Sequence, residues 1–346
     1  MTTPTIPCGR TPVPAHPTDW FCKARWGVNI AFMAIEGEST RGADIPADEW
    51  NRRVDAFDVD ALATQLGSIG AAYCFLTLGQ NSGHFCSPNA VYDDIVGIRP
   101  SKCSRRDLVA DFAAALRRHG IRLMVYACSN APAADPIAKE RFGWEWGYEP
   151  AWPNGWCENL RTGERHAAFQ EKWENVITEW SRRWGRDVWG WWIDGCYFAD
   201  EMYRHPKPPN FRSFARALRA GNDRALVAFN PGQIVPLICH SEEEDYTTGE
   251  VDKQFPLCPG RWVERNRHAA QWHVYTWIGA QWGRGMTPRL PVEFVVGYTR
   301  QVAANQGVVT WDVPLHPNGT IPDHFASMLD AVAKAVPPEK VPDAGP

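Results

Sequence analysis

Val188 to Phe198 reads VWGWWIDGCYF. A β-branched and aromatic run this apolar predicts a strand covered on both faces, and such strands belong to parallel sheets flanked by helices. The run closes on a lone carboxylate, Asp194, followed at once by Gly195. An acid at the end of a buried strand needs a reason, and the architecture around it supplies one.

Six further runs of strand length recur along the chain: WGVNIAF (Trp26 to Phe32), AAYCFLTL (Ala71 to Leu78), IRLMVYA (Ile121 to Ala127), RALVAFN (Arg224 to Asn230), QWHVYTWI (Gln271 to Ile278) and GVVTWDV (Gly307 to Val313). An eighth is expected near EDYTTG, Glu244 to Gly249. Helical patterns lie between them. DVDALATQLGSIG puts Val59, Leu62 and Leu66 on one face behind Asp58 as a cap, and SRRDLVADFAAALRRHG does the same with Leu108, Phe112 and Leu116 before Gly120. HAAFQEKWENVITEWSRRWG and PNFRSFARALRAG repeat the design. Strict alternation of strand and helix predicts a parallel α/β fold, and about eight such units fit a TIM-like (β/α)₈ barrel. A doubly wound sheet is disfavoured because no G-x-G-x-x-G follows the first strand. One domain is expected over 19–335, with proline-bearing tails at 1–18 and 336–346.

In such a barrel the chemistry gathers at the C-terminal strand ends. Asp194 is therefore placed for work, with Gly195 leaving room for a ligand and Trp189, Trp191 and Trp192 as low-dielectric walls; the bland alternative is a helix cap or a partner for Arg25.

Composition narrows the function. The chain has 346 residues, 44% hydrophobic and 22% charged, enough to bury a sizeable core. A net charge of −4 gives no basic field, so nucleic acid and anionic bilayers are not expected partners. No apolar run is long enough to span a membrane, and the first residues carry no signal-peptide pattern. That leaves a cytoplasmic protein or one exported with its signal removed. Ten cysteines are scattered without a C-x-x-C, so no structural zinc site is expected; disulfides stay open, for instance between Cys86 and Cys103. Eighteen tryptophans are far above ordinary usage. Flat indole faces stack on sugar rings, which makes a carbohydrate the substrate class to test, against a core merely rich in Trp.

Cleaving a glycoside with retention takes two carboxyl groups, one a nucleophile and one an acid and then a base. Partners for Asp194 at strand ends or in long loops are Glu36, Glu145, Glu149, Glu158, the run Glu242 to Asp245, read as a solvated surface cluster, and Glu250. Glu250, after DYTTG, ranks first on position.

Several motifs in order resemble the α-L-fucosidase family of retaining glycoside hydrolases, glycoside hydrolase family 29. They are WFCKARWG (Trp20 to Gly27), FDVDALATQLGSIGAAYCFLTL, RRDLVADFAAALRRHGIRLMVYACSN, WWIDG, DYTTGE, TWIGAQWGRG and VAANQGVVTWDVPLHPNGTIP. The resemblance implies a barrel, Asp194 as nucleophile in WWIDG, Glu250 as acid/base in DYTTGE, and no metal or organic cofactor. The chain departs from the family at AFM (Ala31 to Met33), at LGQNSGHF (Leu78 to Phe85), where paired histidines become Gln80 and Asn81, and at NPG (Asn230 to Gly232), where an arginine is missing. No C-terminal β-sandwich like the family's is expected within these 346 residues. Those positions hold fucose hydroxyls in the family, so the mechanism carries over while the sugar is expected to differ.

By position, Gln80, Asn81, His84, Tyr126, Asn130, Trp192, Asn230 and Trp277 are the expected sugar contacts, with His273 and Trp277 also readable as core. Trp144, Trp146, Trp152 and Trp156 sit in a long loop suited to a lid. The expected partner is an oligosaccharide or polysaccharide. Two alternatives stand beside α-L-fucoside hydrolysis: the same mechanism on another α-linked sugar, exo or endo, and a non-catalytic carbohydrate-binding barrel.

Overall fold

The computed structural model describes residues 16–34, 45–130, 132, 134–144, 148–149, 157–158, 165–198 and 202–339. Glu36, Glu145, Trp146, Trp152 and Trp156 lie outside them, as do the side chains of Glu149 and Glu158.

Seven strands form one sheet among the described residues: β1 (Trp26–Ile30), β2 (Tyr73–Thr77), β3 (Arg122–Cys128), β4 (Val188–Asp194), β5 (Leu226–Phe229), β6 (His273–Trp277) and β7 (Val308–Val313). Their order is β6-β7-β1-β2-β3-β4-β5, and every pairing is parallel. Helices separate most of them, each starting and stopping for local reasons. Val59–Ile69 begins where the Asp58 carboxylate accepts from the Ala61 N–H and ends at Gly70 in the left-handed region. Phe211–Leu218 begins with a reciprocal capping box between Asn210 and Ser213. No described helix is long and apolar enough to cross a membrane.

The sheet is a parallel half-barrel. The eighth strand expected near EDYTTG does not form as a regular strand. Gly249 interrupts it: its φ is +63°, and a Cβ there would lie 1.9 Å from the His273 carbonyl oxygen. The segment still lines the gap between β5 and β6. On the β6 side, the Thr247 and Val251 N–H groups donate to the Gln271 and Tyr275 carbonyls, each at 3.0 Å. Towards β5, carboxylates replace much of the missing ladder. Asp245 Oδ2 accepts from the Val227 N–H at 2.8 Å and Glu244 Oε1 from the Phe229 N–H at 3.0 Å. The run Glu242 to Asp245 is therefore not simply a solvated charge cluster, since Glu244 is fully buried.

Strand alternation divides the core in two. One set, including Val125, Trp191, Ile193 and Val227, packs under the helices. The other, including Phe75, Met124, Tyr126, Trp192, Tyr246 and Tyr275, fills the inside of the half-barrel. His273 belongs to the inner layer, bonded to Thr310 and Thr247, and burial pushes its ring down to about 3. Cys86 and Cys103 carry free, buried thiols rather than a disulfide. At the chain ends, the Trp26 indole N–H donates to the Val336 carbonyl at 3.0 Å and Arg25 pairs with Glu339 at 2.6 Å, so Arg25 is not the partner of Asp194.

Candidate active site

Parity along β4 decides what surrounds Asp194. Residues 190, 192 and 194 face inward, so of the three tryptophans named beside the acid only Trp192 lies in the inner layer. Trp191 packs on Trp184 outside the sheet, and Trp189 holds Trp20 and the Arg122 guanidinium. Gly195 does not open space for a ligand either. Its φ is +79°, and a Cβ would meet Asn130 Oδ1 at 2.6 Å; glycine is needed for the turn and for close packing on Asn130.

Four donors converge on the Asp194 carboxyl. Oδ1 accepts from the Gly195 N–H at 2.8 Å, the Tyr197 hydroxyl at 2.9 Å and Asn230 Nδ2 at 2.9 Å. Oδ2 accepts from the Tyr126 hydroxyl at 2.5 Å. Asn230, just beyond β5, also donates from the same Nδ2 to Glu250 Oε2 at 2.6 Å. Two oxygens held by one nitrogen at those distances can be no more than about 5.5 Å apart. Gln233 Nε2 reaches the other Glu250 oxygen at 3.4 Å. Burial first, and then the negative charge of Asp194, push the Glu250 carboxyl up to about 7.

Aromatic rings wall this pair. Tyr126 stacks on Trp192 with centroids 5.0 Å apart, Trp192 meets Tyr275 at 5.0 Å, and Tyr275 stacks on Trp282 at 4.9 Å. Trp277 lies against Trp282 at 4.1 Å, with Arg289 over its face at 3.8 Å. The Trp192 indole N–H donates to the Thr248 carbonyl at 3.0 Å, tying β4 to the segment that carries Glu250.

Of the other residues singled out by position, Gln80 donates from Nε2 to the Tyr126 hydroxyl at 2.9 Å. Asn81 is half-buried, and its carbonyl accepts from the Ala134 N–H. His84 is buried with Nε2 on the Ile45 carbonyl at 2.9 Å and its ring edge-on to Trp50, a scaffold position. Trp144 is buried against Phe169 at 4.4 Å, which makes it core.

Sequence reasoning passed over Tyr197, Tyr275, Trp282 and a third acid. Asp312, fully buried at the end of β7, accepts from Asn29 Nδ2 at 2.6 Å and from the Gly283 N–H, and burial pushes it up to about 7. Strand parity was the available signal: Val308, Thr310 and Asp312 share one face of β7, and Asn29 pairs with Asp312 in register. No cluster of three or more metal-ligating side chains occurs among the described residues.

A family model described as Alpha-L-fucosidase matches residues 16–336. Among solved structures, endo-fucoidan hydrolase P5AFcnA of glycoside hydrolase family 107 is similar with a TM-score of 0.66 at 17% identity, covering 92% of this chain and 95% of that one. Endo-fucoidan hydrolase MfFcnA4 of the same family gives 0.67 at 18%, covering 91% of this chain and 53% of that one, so this chain spans about half its length. Alpha-L-fucosidase AlfC from Lactobacillus casei, solved with alpha-L-fucose product, gives 0.60 at 15%, covering 92% and 97%. At these identities the likeness is one of fold. None of the curated protein sequences compared matches the chain.

Proposed function

The chain belongs to the alpha-L-fucosidase family of glycoside hydrolases, and from that premise we propose that it hydrolyses an α-linked fucose-like sugar with retention, Asp194 acting as nucleophile and Glu250 as acid and then base. One observation carries this reading. The shared Asn230 amide keeps the two carboxyl oxygens within about 5.5 Å, the spacing at which a second carboxyl attacks directly rather than through an intervening water.

In the first step Asp194 forms a bond to the anomeric carbon while the glycosidic C–O bond breaks, its electron pair leaving with the aglycone oxygen. That oxygen takes the proton of Glu250, which a carboxyl raised to about 7 holds in about half the molecules at neutral pH. In the second step Glu250 removes a proton from water as the water displaces Asp194 from the sugar. Neither step calls on a cofactor.

The departures from the family pattern support a changed sugar preference. Asn230 gives its amide protons to the two acids and Gln80 gives one to Tyr126, so these positions serve the acids in this chain. Of the rings stacked beside the acids, Tyr275 and Trp277 are buried under Trp282, and the partly exposed Trp282 offers the aromatic face for the substrate.

A 2-fluoro-fucosyl fluoride, and fluorinated donors of related sugars, test the proposal. The adduct mass of one glycosyl unit should appear on the peptide bearing Asp194 and be absent from Asp194→Ala. A label on another carboxyl, or none with any donor while the sugar still binds, would leave a carbohydrate-binding barrel as the better account.

A further inference from the structure

The two oxygens of Asp194 are held unequally. Among the described residues three donors fix Oδ1, whereas Oδ2 has the Tyr126 hydroxyl alone. A phenol has one proton to give, and its oxygen can also accept. Gln80 supplies what it accepts, with Nε2 at 2.9 Å. The Tyr126 ring cannot easily turn away, since it is 7% exposed and lies flat on Trp192 with 15° between the planes. Backbone bonds fix the two ends of the chain of contacts. The Leu78 N–H donates to the Tyr126 carbonyl at 2.9 Å, and the Gly83 N–H donates to the Gln80 carbonyl at 3.1 Å.

We propose that Gln80 is a positioning residue that acts through Tyr126. By donating to the phenol oxygen, it commits the single phenol proton to Asp194 Oδ2. The inference rests on the reading of Asp194 as nucleophile. It assigns Oδ1 as the anchored oxygen and Oδ2 as the one that bonds to the sugar through its remaining lone pair. The phenol proton stays on Tyr126 throughout. Its hydrogen bond is weak while Oδ2 is an ester oxygen and strengthens as the C–O bond to the sugar breaks and the electron pair returns to the carboxylate. Hydrogen bonds to charged groups are the stronger kind, and bonds in series reinforce one another. The relay therefore speeds breakdown of the glycosyl-enzyme more than its formation.

The test compares Gln80→Leu, Tyr126→Phe and the double variant on an activated aryl glycoside, with rapid-mixing kinetics separating the two steps. Gln80→Leu should slow breakdown of the covalent intermediate by about tenfold, the scale of one neutral hydrogen bond acting on a charged centre. KM should fall with kcat as the intermediate accumulates. In the Tyr126→Phe background the same change should cost less than about twofold, because the relay is already broken. Gln80→Glu, which puts an acceptor where a donor stood, should be the most damaging of the set. If instead Gln80→Leu raises KM at constant kcat, and does so equally with Tyr126→Phe present, Gln80 touches the sugar directly and the relay is wrong. Should the wild-type protein turn over no glycoside, the function fails, while the relay is still read in a crystal structure of Gln80→Glu. There two acceptors compete for the single phenol proton, so the Tyr126 oxygen to Asp194 Oδ2 distance should lengthen from 2.5 Å, and an unchanged distance would overturn the proposal.

Discussion

Glu244 and Glu250 lie in one short segment between β5 and β6, and burial raises both, to about 8 and about 7. Their partners differ. Glu244 accepts from the backbone N–H groups of Phe229 and Ser241 at 3.0 and 2.8 Å, standing in for strand ladder. Glu250 is held by two side-chain amides, Asn230 and Gln233, with a second carboxyl on the same amide nitrogen. A buried acid bonded to backbone is scaffold, whereas one that shares a side-chain donor with another acid is equipped for proton transfer. Burial alone does not separate the two.

Substitutions at four positions press on that difference. Asp194→Ala should lower turnover most, by about 10⁴-fold or more, because the covalent route disappears with it. A residue retaining a tenth of wild-type activity on the true substrate would break the assignment. Glu250→Ala should cost about 10²- to 10⁴-fold on a natural glycoside and much less on an activated aryl one, whose leaving group needs little protonation. The acid must carry its proton in the first step, so wild-type activity should fall as pH rises through about 7. That alkaline limb should be absent from Glu250→Gln on the aryl substrate. Tyr197→Phe removes one of three donors to Asp194 Oδ1, and steady-state rates should drop less than about tenfold. Glu244→Ala should leave kcat of the folded protein unchanged. Denaturant melts should show about 2 kcal/mol of lost stability, from backbone N–H groups left buried without an acceptor. Equal effects of Glu244→Ala and Glu250→Ala on kcat would erase the contrast.

Much of this was legible in the sequence wherever a local pattern and the tertiary fold agree. The run from Val188 to Asp194 is a strand over that whole span, and Asp58 caps its helix as its spacing suggests. The eighth strand was misread because a β-rich composition says nothing of the left-handed turn that Gly249 imposes beside His273. Glu244 was misread because four acids in a row, Glu242 to Asp245, look solvated until the open edge of β5 is known to need acceptors. Asp194 and Glu250 could be singled out by strand position and by motif. Asn230 could be singled out by position, but its joint hold on both acids depends on how β5 and the following segment come together in space. His84 shows the opposite failure, a polar residue in the right loop whose ring serves Ile45 and Trp50. Asp312 was within reach, since inward parity on β7 marks it once β7 is assigned.

The central claim is that two carboxyls within one sugar's width carry out a double displacement. Proton NMR of the first product released from an α-fucoside or related aryl α-glycoside tests it most directly, read before mutarotation sets in. The account predicts the α-anomer, with the configuration retained. Release of the β-anomer would mean a single displacement by water, and the closeness of Asp194 to Glu250 would then need another explanation.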